Sequence, residues 1–248
     1  MNDRLWIVLP CAGAGSRFAE VDGQVPEFAT LAAVKQYAPL GNRTVLGVVL
    51  ERMLELQPAR IVLVVARGDE AWRRCVPEHG RDRIVSVLGG TTRSASVLNG
   101  VRALAGDAAE ADWVMVHDVA RPCITHAQCV RLLAAVANDK AGGLLAVPVT
   151  DTIKQGSGDG SHAVALRTIP RAGLWAAQTP QVFRFGVLHA ALAAAVAALT
   201  PVTDEAGAVE LLGLQPRLVP GSVENLKITW PEDLARAAAI LAARSLDA

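Results

Sequence analysis

The sequence predicts an α/β fold built on a mostly parallel sheet, and three features predict it. Short apolar runs recur along the 248 residues, stretches of helical period lie between them, and a glycine turn follows the first run. Strand and helix alternating in this way favour right-handed crossovers with helices on both faces, a Rossmann-like, doubly wound arrangement. Ligands on such sheets lie at the carboxyl ends of the strands.

In chain order, residues 5–9 (Leu-Trp-Ile-Val-Leu) form the first buried strand; the run is too short for a leader core and passes straight into the glycine turn. Thr44 is placed to cap a helix over 45–56, and strands follow at 61–65 and 84–88. Thr91 or Thr92 caps a helix over 94–104; a strand at 113–116, a helix at 128–137 and a strand at 144–147 complete the alternation. The rhythm breaks after Thr150. Two short extended segments, 151–154 and 164–168, are joined by Gly156-Ser157-Gly158-Asp159-Gly160-Ser161, giving a β-arm over about 150–172. A lone two-stranded hairpin is marginal in water, so the arm is expected to protrude onto a second copy of the chain and make a homodimer. Helices near 186–199 and 204–212, strands at 217–219 and 225–229, and a helix opening at Pro231-Glu232-Asp233 finish the chain, which reads as one domain over 1–248.

Apolar residues make up 52% and charged residues 19%, the composition of a folded core. Basic and acidic residues balance at 24 each, so no overall field draws the chain to nucleic acid or to an anionic membrane. The apolar stretch at 190–199 is too short to span a bilayer. Cys11, Cys75, Cys123 and Cys129 form no C-x-x-C pair, which argues for reduced thiols and a cytoplasmic location. Lys35, Lys140, Lys154 and Lys227 are the only lysines beside twenty arginines, so each marks a position suited to a compact ammonium.

The turn Pro10-Cys11-Ala12-Gly13-Ala14-Gly15-Ser16-Arg17-Phe18 lets backbone N–H groups approach a phosphate closely, with Arg17 as a forked cation. Phe18 stands where a dinucleotide fingerprint needs its third glycine, and no G-K-[ST] follows, so neither a nicotinamide site nor a Walker loop is indicated. Lys35-Gln36-Tyr37 lies on a loop that can close over a triphosphate; a solvated surface lysine is the plain alternative. Gly89-Gly90-Thr91-Thr92-Arg93-Ser94-Ala95-Ser96 opens a helix where free N–H groups suit a base or an anion. His117-Asp118-Val119-Ala120-Arg121-Pro122 ends a strand in the expected crevice; Asp118 suits ribose or metal-bound water, or else simply pairs with Arg121, and His117 reads as structural. Lys227 sits among apolar neighbours, facing a site or guarding a sheet edge.

Taken together, these stretches resemble the 2-C-methyl-D-erythritol 4-phosphate cytidylyltransferase family of the non-mevalonate isoprenoid pathway. Asp151-Thr152-Ile153-Lys154, Arg171, Gln178-Thr179-Pro180-Gln181-Val182-Phe183, Thr203-Asp204-Glu205-Ala206 and Asn225-Leu226-Lys227-Ile228-Thr229 extend the resemblance over the whole chain. It implies a nucleotidyltransferase that moves CMP from CTP to methylerythritol phosphate and releases pyrophosphate, with Mg²⁺ as cofactor. Arg17, Lys35 and Lys227 would grip the triphosphate as the catalytic cations. Cys11, Ala12, Gly13, Ala14, Gly15, Gly90, Thr91, Ser96, Asp118 and Val119 would cradle the nucleotide. Asp118, Arg121, Thr152, Arg171, Thr179, Thr203 and Thr229 would receive the acceptor, Arg171 reaching in from the neighbouring subunit. The magnesium ion would be held mainly by phosphates and water, with no protein cage. The chain departs from the family in an insertion around 21–27, in Thr91 where an acid can occur, and in Val119 where a smaller residue is common. The alternatives are a cytidylyltransferase for another polyol phosphate such as ribitol 5-phosphate, a non-catalytic nucleotide-binding module, and a nicotinamide-dependent oxidoreductase.

Overall fold

The apolar runs at 5–9, 61–65, 113–116 and 144–147 become strands buried on both faces in the computed structural model, which describes residues 4–13, 34–158 and 162–246, while the run at 84–88 becomes a half-exposed edge strand. Ala14, Gly15, Arg17, the 21–27 insertion and the tip of the expected arm at 159–161 lie outside the described residues.

Seven strands form the main sheet: β1 (Leu5–Pro10), β4 (Arg60–Val65), β5 (Ile84–Leu88), β6 (Trp113–Val116), β7 (Gly143–Pro148), β10 (Trp175–Arg184) and β11 (Arg217–Pro220). Their spatial order is β11-β7-β10-β6-β1-β4-β5, and all run parallel except β10, which is antiparallel to both of its neighbours. Side chains alternate between two apolar layers, as the pleat requires. Ile7, Leu9, Ile61, Leu63 and Met115 face one layer, covered by α1 (Val45–Leu54), α3 (His126–Val136) and α6 (Pro231–Leu246). Trp6, Val8, Val62, Val64 and Val114 face the other, covered by α2 (Arg93–Arg102), α4 (Phe185–Ala197) and α5 (Glu205–Glu210). Burial on both faces explains why these strands read as continuous apolar runs rather than alternating ones.

Helix starts follow their caps. Thr44 Oγ1 accepts from Gly47 N–H, Thr92 Oγ1 from Ala95 N–H, and Asp204 Oδ1 from Gly207 N–H. Thr125 opens α3 with a reciprocal capping box to Gln128. Two small strands, β2 (Pro39–Leu40) and β3 (Arg43–Thr44), pair with each other just ahead of α1. The expected arm is a separate two-stranded sheet, β8 (Ile153–Ser157) against β9 (Val164–Ile169), exposed along nearly its whole length.

The structure corrects one strand and adds another. Residues 225–229 form no strand; they are held beyond the carboxyl end of β6 by the Ile228 N–H to Ala120 C=O bond at 2.8 Å. The reading of Lys227 as the guard of an edge strand falls with it, since β11 already forms that edge. β10 was not anticipated; it enters between β6 and β7 through a register shift between Ala177 and Gln181.

Candidate active site

The carboxyl ends of β1, β5 and β6 converge on one cavity of about 340 Å³. Beyond β1, Cys11 N–H donates to Val64 C=O at 2.7 Å, and Gln36 Nε2 donates to Cys11 C=O at 3.0 Å. That second bond ties the helical turn Lys35–Tyr37 to the glycine turn, although the two are far apart in sequence, and brings Lys35 to the cavity wall. Beyond β5, Gly90 N–H donates to Ser96 Oγ at 3.0 Å, and Ser96 Oγ–H is spent on Thr92 C=O at 2.8 Å. A side chain on Gly90 would stand 2.6 Å from Ala95 Cβ, so only glycine lets this turn close on the start of α2. Cys11, Ala12, Gly13, Gly90, Thr91 and Ser96 all line the cavity, as do Asp118, Val119 and Lys227.

A second cavity of about 180 Å³ adjoins the first and shares Arg93, Asp118 and Lys227 with it. Arg121, Thr179 and Thr203 line it, together with Gln178, Gln181 and Asp204. Thr152, Arg171 and Thr229 line neither cavity. Arg171 Nη1 donates to Thr150 C=O at the base of the arm, and Thr229 Oγ1 donates to Lys227 C=O at 3.2 Å.

Between the cavities runs a chain of alternating charge. Lys227 Nζ lies 2.6 Å from Asp118 Oδ2, and Arg93 Nη2 lies 3.0 Å from Asp118 Oδ1. Arg93 also forks onto Glu205, with Nη1 to Oε1 at 2.6 Å and Nη2 to Oε2 at 3.3 Å. Burial alone would raise the pKa of Asp118, but Arg93 and then Lys227 outweigh it and hold the carboxyl well below the usual range. For Glu205, which has no exposed surface, burial prevails and the pKa is raised in spite of Arg93. Arg93 is itself half-withdrawn from water, which opposes its charge, yet the two carboxylates raise its pKa further.

The simple Asp118–Arg121 ion pair is not what forms. Arg121 donates instead through Nη1 to Asn225 C=O at 2.6 Å, fixing the segment that carries Lys227, while its buried Nε has no partner. His117 is fully buried and is structural, as its neighbours suggest: Thr179 Oγ lies 3.1 Å from Nδ1, Arg121 C=O lies 3.1 Å from Nε2, and Asp118 N–H donates to Thr179 Oγ at 3.0 Å. With the carbonyl as acceptor, Nε2 carries the proton and Nδ1 receives the threonine hydroxyl. Burial lowers the imidazole pKa to about 4, so the ring stays neutral and fixes Thr179 and the Asp118 backbone.

Sequence reasoning did not single out Arg93, Glu205, Gln36 or Gln181 as site residues. Gln181 Nε2 donates to Asp204 Oδ2 and its Oε1 accepts from Ala206 N–H, both at 2.8 Å, bracing the start of α5 beside the second cavity. The available signal was polarity inside otherwise apolar elements: Gln181 beside Val182 and Phe183, and Glu205 in an alanine-rich turn.

Among the described residues no group of three His, Cys, Asp or Glu is disposed to hold a metal, and no helix is long and apolar enough to cross a membrane. Among the described residues, Asp118 is the single carboxylate lining the larger cavity, and both of its oxygens are engaged by cations.

Comparison with known proteins converges on one family. The family model described as 2-C-methyl-D-erythritol 4-phosphate cytidylyltransferase (IspD) matches residues 5–243. The protein of that name from Thiobacillus denitrificans is 43% identical over 243 residues, covering 96% of this chain and 97% of its own length. The one from Dechloromonas aromatica is 44% identical, covering 97% and 99%. Among solved structures, a 4-diphosphocytidyl-2C-methyl-D-erythritol synthase superposes with a TM-score of 0.78 at 35% identity over 97% of this chain and 99% of its own. The Francisella tularensis 2-C-methyl-D-erythritol 4-phosphate cytidylyltransferase superposes with a TM-score of 0.77 at 29% identity, covering 96% and 99%.

Proposed function

The chain belongs to the 2-C-methyl-D-erythritol 4-phosphate cytidylyltransferase family, and from that premise we propose how its residues carry out the reaction. The enzyme transfers CMP from CTP to 2-C-methyl-D-erythritol 4-phosphate, giving 4-diphosphocytidyl-2-C-methyl-D-erythritol and pyrophosphate. The larger cavity takes CTP, the smaller takes the acceptor, and one observation carries this reading: the two cavities meet at Asp118, Arg93 and Lys227. The α-phosphorus then lies at that junction, within reach of both sides.

An oxygen of the acceptor phosphate attacks the α-phosphorus; the new O–P bond forms as the bond to the bridging oxygen of pyrophosphate breaks. The attacking group is already an anion at neutral pH, so no general base is required, and positioning with charge neutralisation supplies the catalysis. Lys227 leaves Asp118 for the α-phosphate as charge develops there. Lys35, tethered through Gln36 to the glycine turn, grips the β- and γ-phosphates together with Arg17. Gly90, Thr91 and Ser96 border cytosine, with Ala12 and Gly13 opposite, and Asp118 and Val119 border the ribose. Thr179, Thr203 and Arg121 hold the polyol.

Enzymes of this family are nucleotidyltransferases of a kind that commonly uses a divalent metal, and Mg²⁺ is the ion proposed here. A cavity whose described lining includes lysine and arginine, with its one described carboxylate already bridged, would suit an ion held mainly by phosphate oxygens and water. Bound there, such an ion would neutralise phosphate charge, and Asp118 would be the residue to meet its waters. The proposal further includes a single nucleotidyltransferase domain over 1–248, a cytoplasmic location and a homodimer. Val164 and Leu166, each 61% exposed on an arm whose described strands pair with each other, support docking on a second copy, which would carry Arg171 and Thr152 into the partner's acceptor cavity.

The test is kinetic. In Lys227→Ala, kcat for pyrophosphate release is expected to fall about 10²–10³-fold while CTP affinity changes much less, the mark of a contact strengthened in the transition state. Equal loss of rate and affinity would refute the assignment of Lys227 to the α-phosphate.

A further inference from the structure

Glu205 is the one group in the charged chain that no substrate can touch. It lines neither cavity and has no exposed surface, yet its carboxylate takes the Arg93 fork on both oxygens. A buried ion pair recovers its desolvation cost only with good geometry, and an apolar pair of similar volume serves stability as well or better. The placement of this pair therefore calls for a reason other than stability.

The geometry points to one. Arg93 opens α2 directly after Thr91 and Thr92 on the nucleotide side, and Glu205 opens α5 directly after Thr203 and Asp204 on the acceptor side. The pair thus ties the wall of one cavity to the wall of the other across 112 residues of chain. The remaining bond of the fork goes to Asp118, whose second oxygen holds Lys227. Two carboxylates and two cations make a neutral set. Without Glu205, the guanidinium would keep one tether and would be drawn toward the triphosphate.

We propose that Glu205 is a positioning residue: it clamps the Arg93 guanidinium in one orientation, so that Asp118, on the same fork, stands fixed where the two substrate cavities meet. The role is exerted wholly through Arg93. Its consequence is alignment, since in-line attack depends on the relative placement of two ligands bound to different walls. A displacement of about 1 Å at such a junction costs on the order of 10²-fold in rate.

This inference rests on the assignment of the two cavities made above, and the experiment separates the two ideas. Glu205→Gln, in the full chain, is assayed for pyrophosphate release and, without acceptor, for CTP binding by calorimetry. Expected is a fall in kcat of about tenfold or more, with CTP affinity unchanged or tighter, because the site gains net positive charge beside an anionic nucleotide. A kcat within about twofold of wild type, or a matched loss of kcat, CTP affinity and thermal midpoint, would overturn it. Should Glu205→Gln fold poorly, the double variant Arg93→Met/Glu205→Leu replaces the pair by apolar groups. There a stable but slow enzyme is expected, and wild-type kcat would refute the role. Lys227→Ala is run alongside: full activity in that variant would bring down the cavity assignment itself. An inactive Lys227→Ala beside a fully active Glu205→Gln would bring down the positioning role alone.

Discussion

Arg93→Met should destabilise the fold by an amount that depends on pH in a stated direction. The Arg93 side chain keeps 31% of its surface exposed and the Glu205 side chain none, so removing the cation strands an anion that cannot recover hydration in place. Breaking a buried pair from one side costs about 3–5 kcal/mol. For a chain of this size each kcal/mol moves the thermal midpoint by about 2–4 °C, so a drop of about 6–20 °C is expected near neutral pH. The sign of the pH effect follows from Glu205. Burial already raises its pKa with Arg93 present, and loss of Arg93 raises it further. A carboxyl whose folded pKa exceeds its unfolded value contributes stability below the unfolded pKa and loses it as pH rises through the folded one. The deficit against wild type should therefore be largest at about pH 7.5 and shrink toward about pH 5, as the stranded carboxyl takes up a proton. Thermal unfolding followed by circular dichroism at both pH values measures it. A deficit under about 3 °C, or one that does not narrow on acidification, would refute the view that Glu205 is held as a buried anion by Arg93.

His117 gives a titration of opposite sense. Its imidazole is depressed from 6.5 to about 4 by burial, so the stability it confers is present above its unfolded pKa and is lost as pH falls through about 4. Urea unfolding should show wild type losing stability across that window while His117→Asn loses less, and identical pH slopes would count against the neutral buried ring. For the arm, mixing Arg171→Ala with Lys227→Ala subunits should restore pyrophosphate release to about a quarter of wild type, because half the dimers are mixed and each regains one of two sites. No recovery after mixing would mean that Arg171 does not act across an interface.

β1, β4 and β6 were legible because they are buried on both faces. The runs around Val62 and Met115 carry little but apolar residues, and burial of that kind writes itself into composition. β10 was illegible for the converse reason. Gln178, Thr179, Pro180 and Gln181 interrupt its apolar pattern because three of those side chains are committed to the site: Thr179 to His117, Gln181 to α5, and Gln178 through Nε2 to Ser222 C=O at 2.8 Å. A proline inside a run also argues against a strand, and only the register shift at Ala177 accommodates it. Residues 225–229 misled in the other direction: alternation resembling a strand is produced here by a segment pinned at Asn225 and Ile228 rather than by a ladder. In the site, the glycines at 13 and 90 could be read from local spacing, since a turn that meets phosphate needs them close to its strand, whereas the roles of Lys35 and Lys227 came only with the family resemblance. The Arg93–Glu205 clamp could not, because a partnership spanning 112 positions leaves no local periodicity.

The arm leaves and rejoins the sheet at a single rung. Pro148 at the end of β7 pairs in register with Trp175 at the start of β10, and Val149 N–H closes the junction on Leu174 C=O at 3.0 Å. The described residues between 150 and 173 thus form an excursion from an otherwise ordinary antiparallel connection, closed at its base by the Arg171 Nη1 bond to Thr150 C=O. Such a junction is a natural graft point: an arm of different length or sequence can be spliced in, or removed, without disturbing the strands on either side.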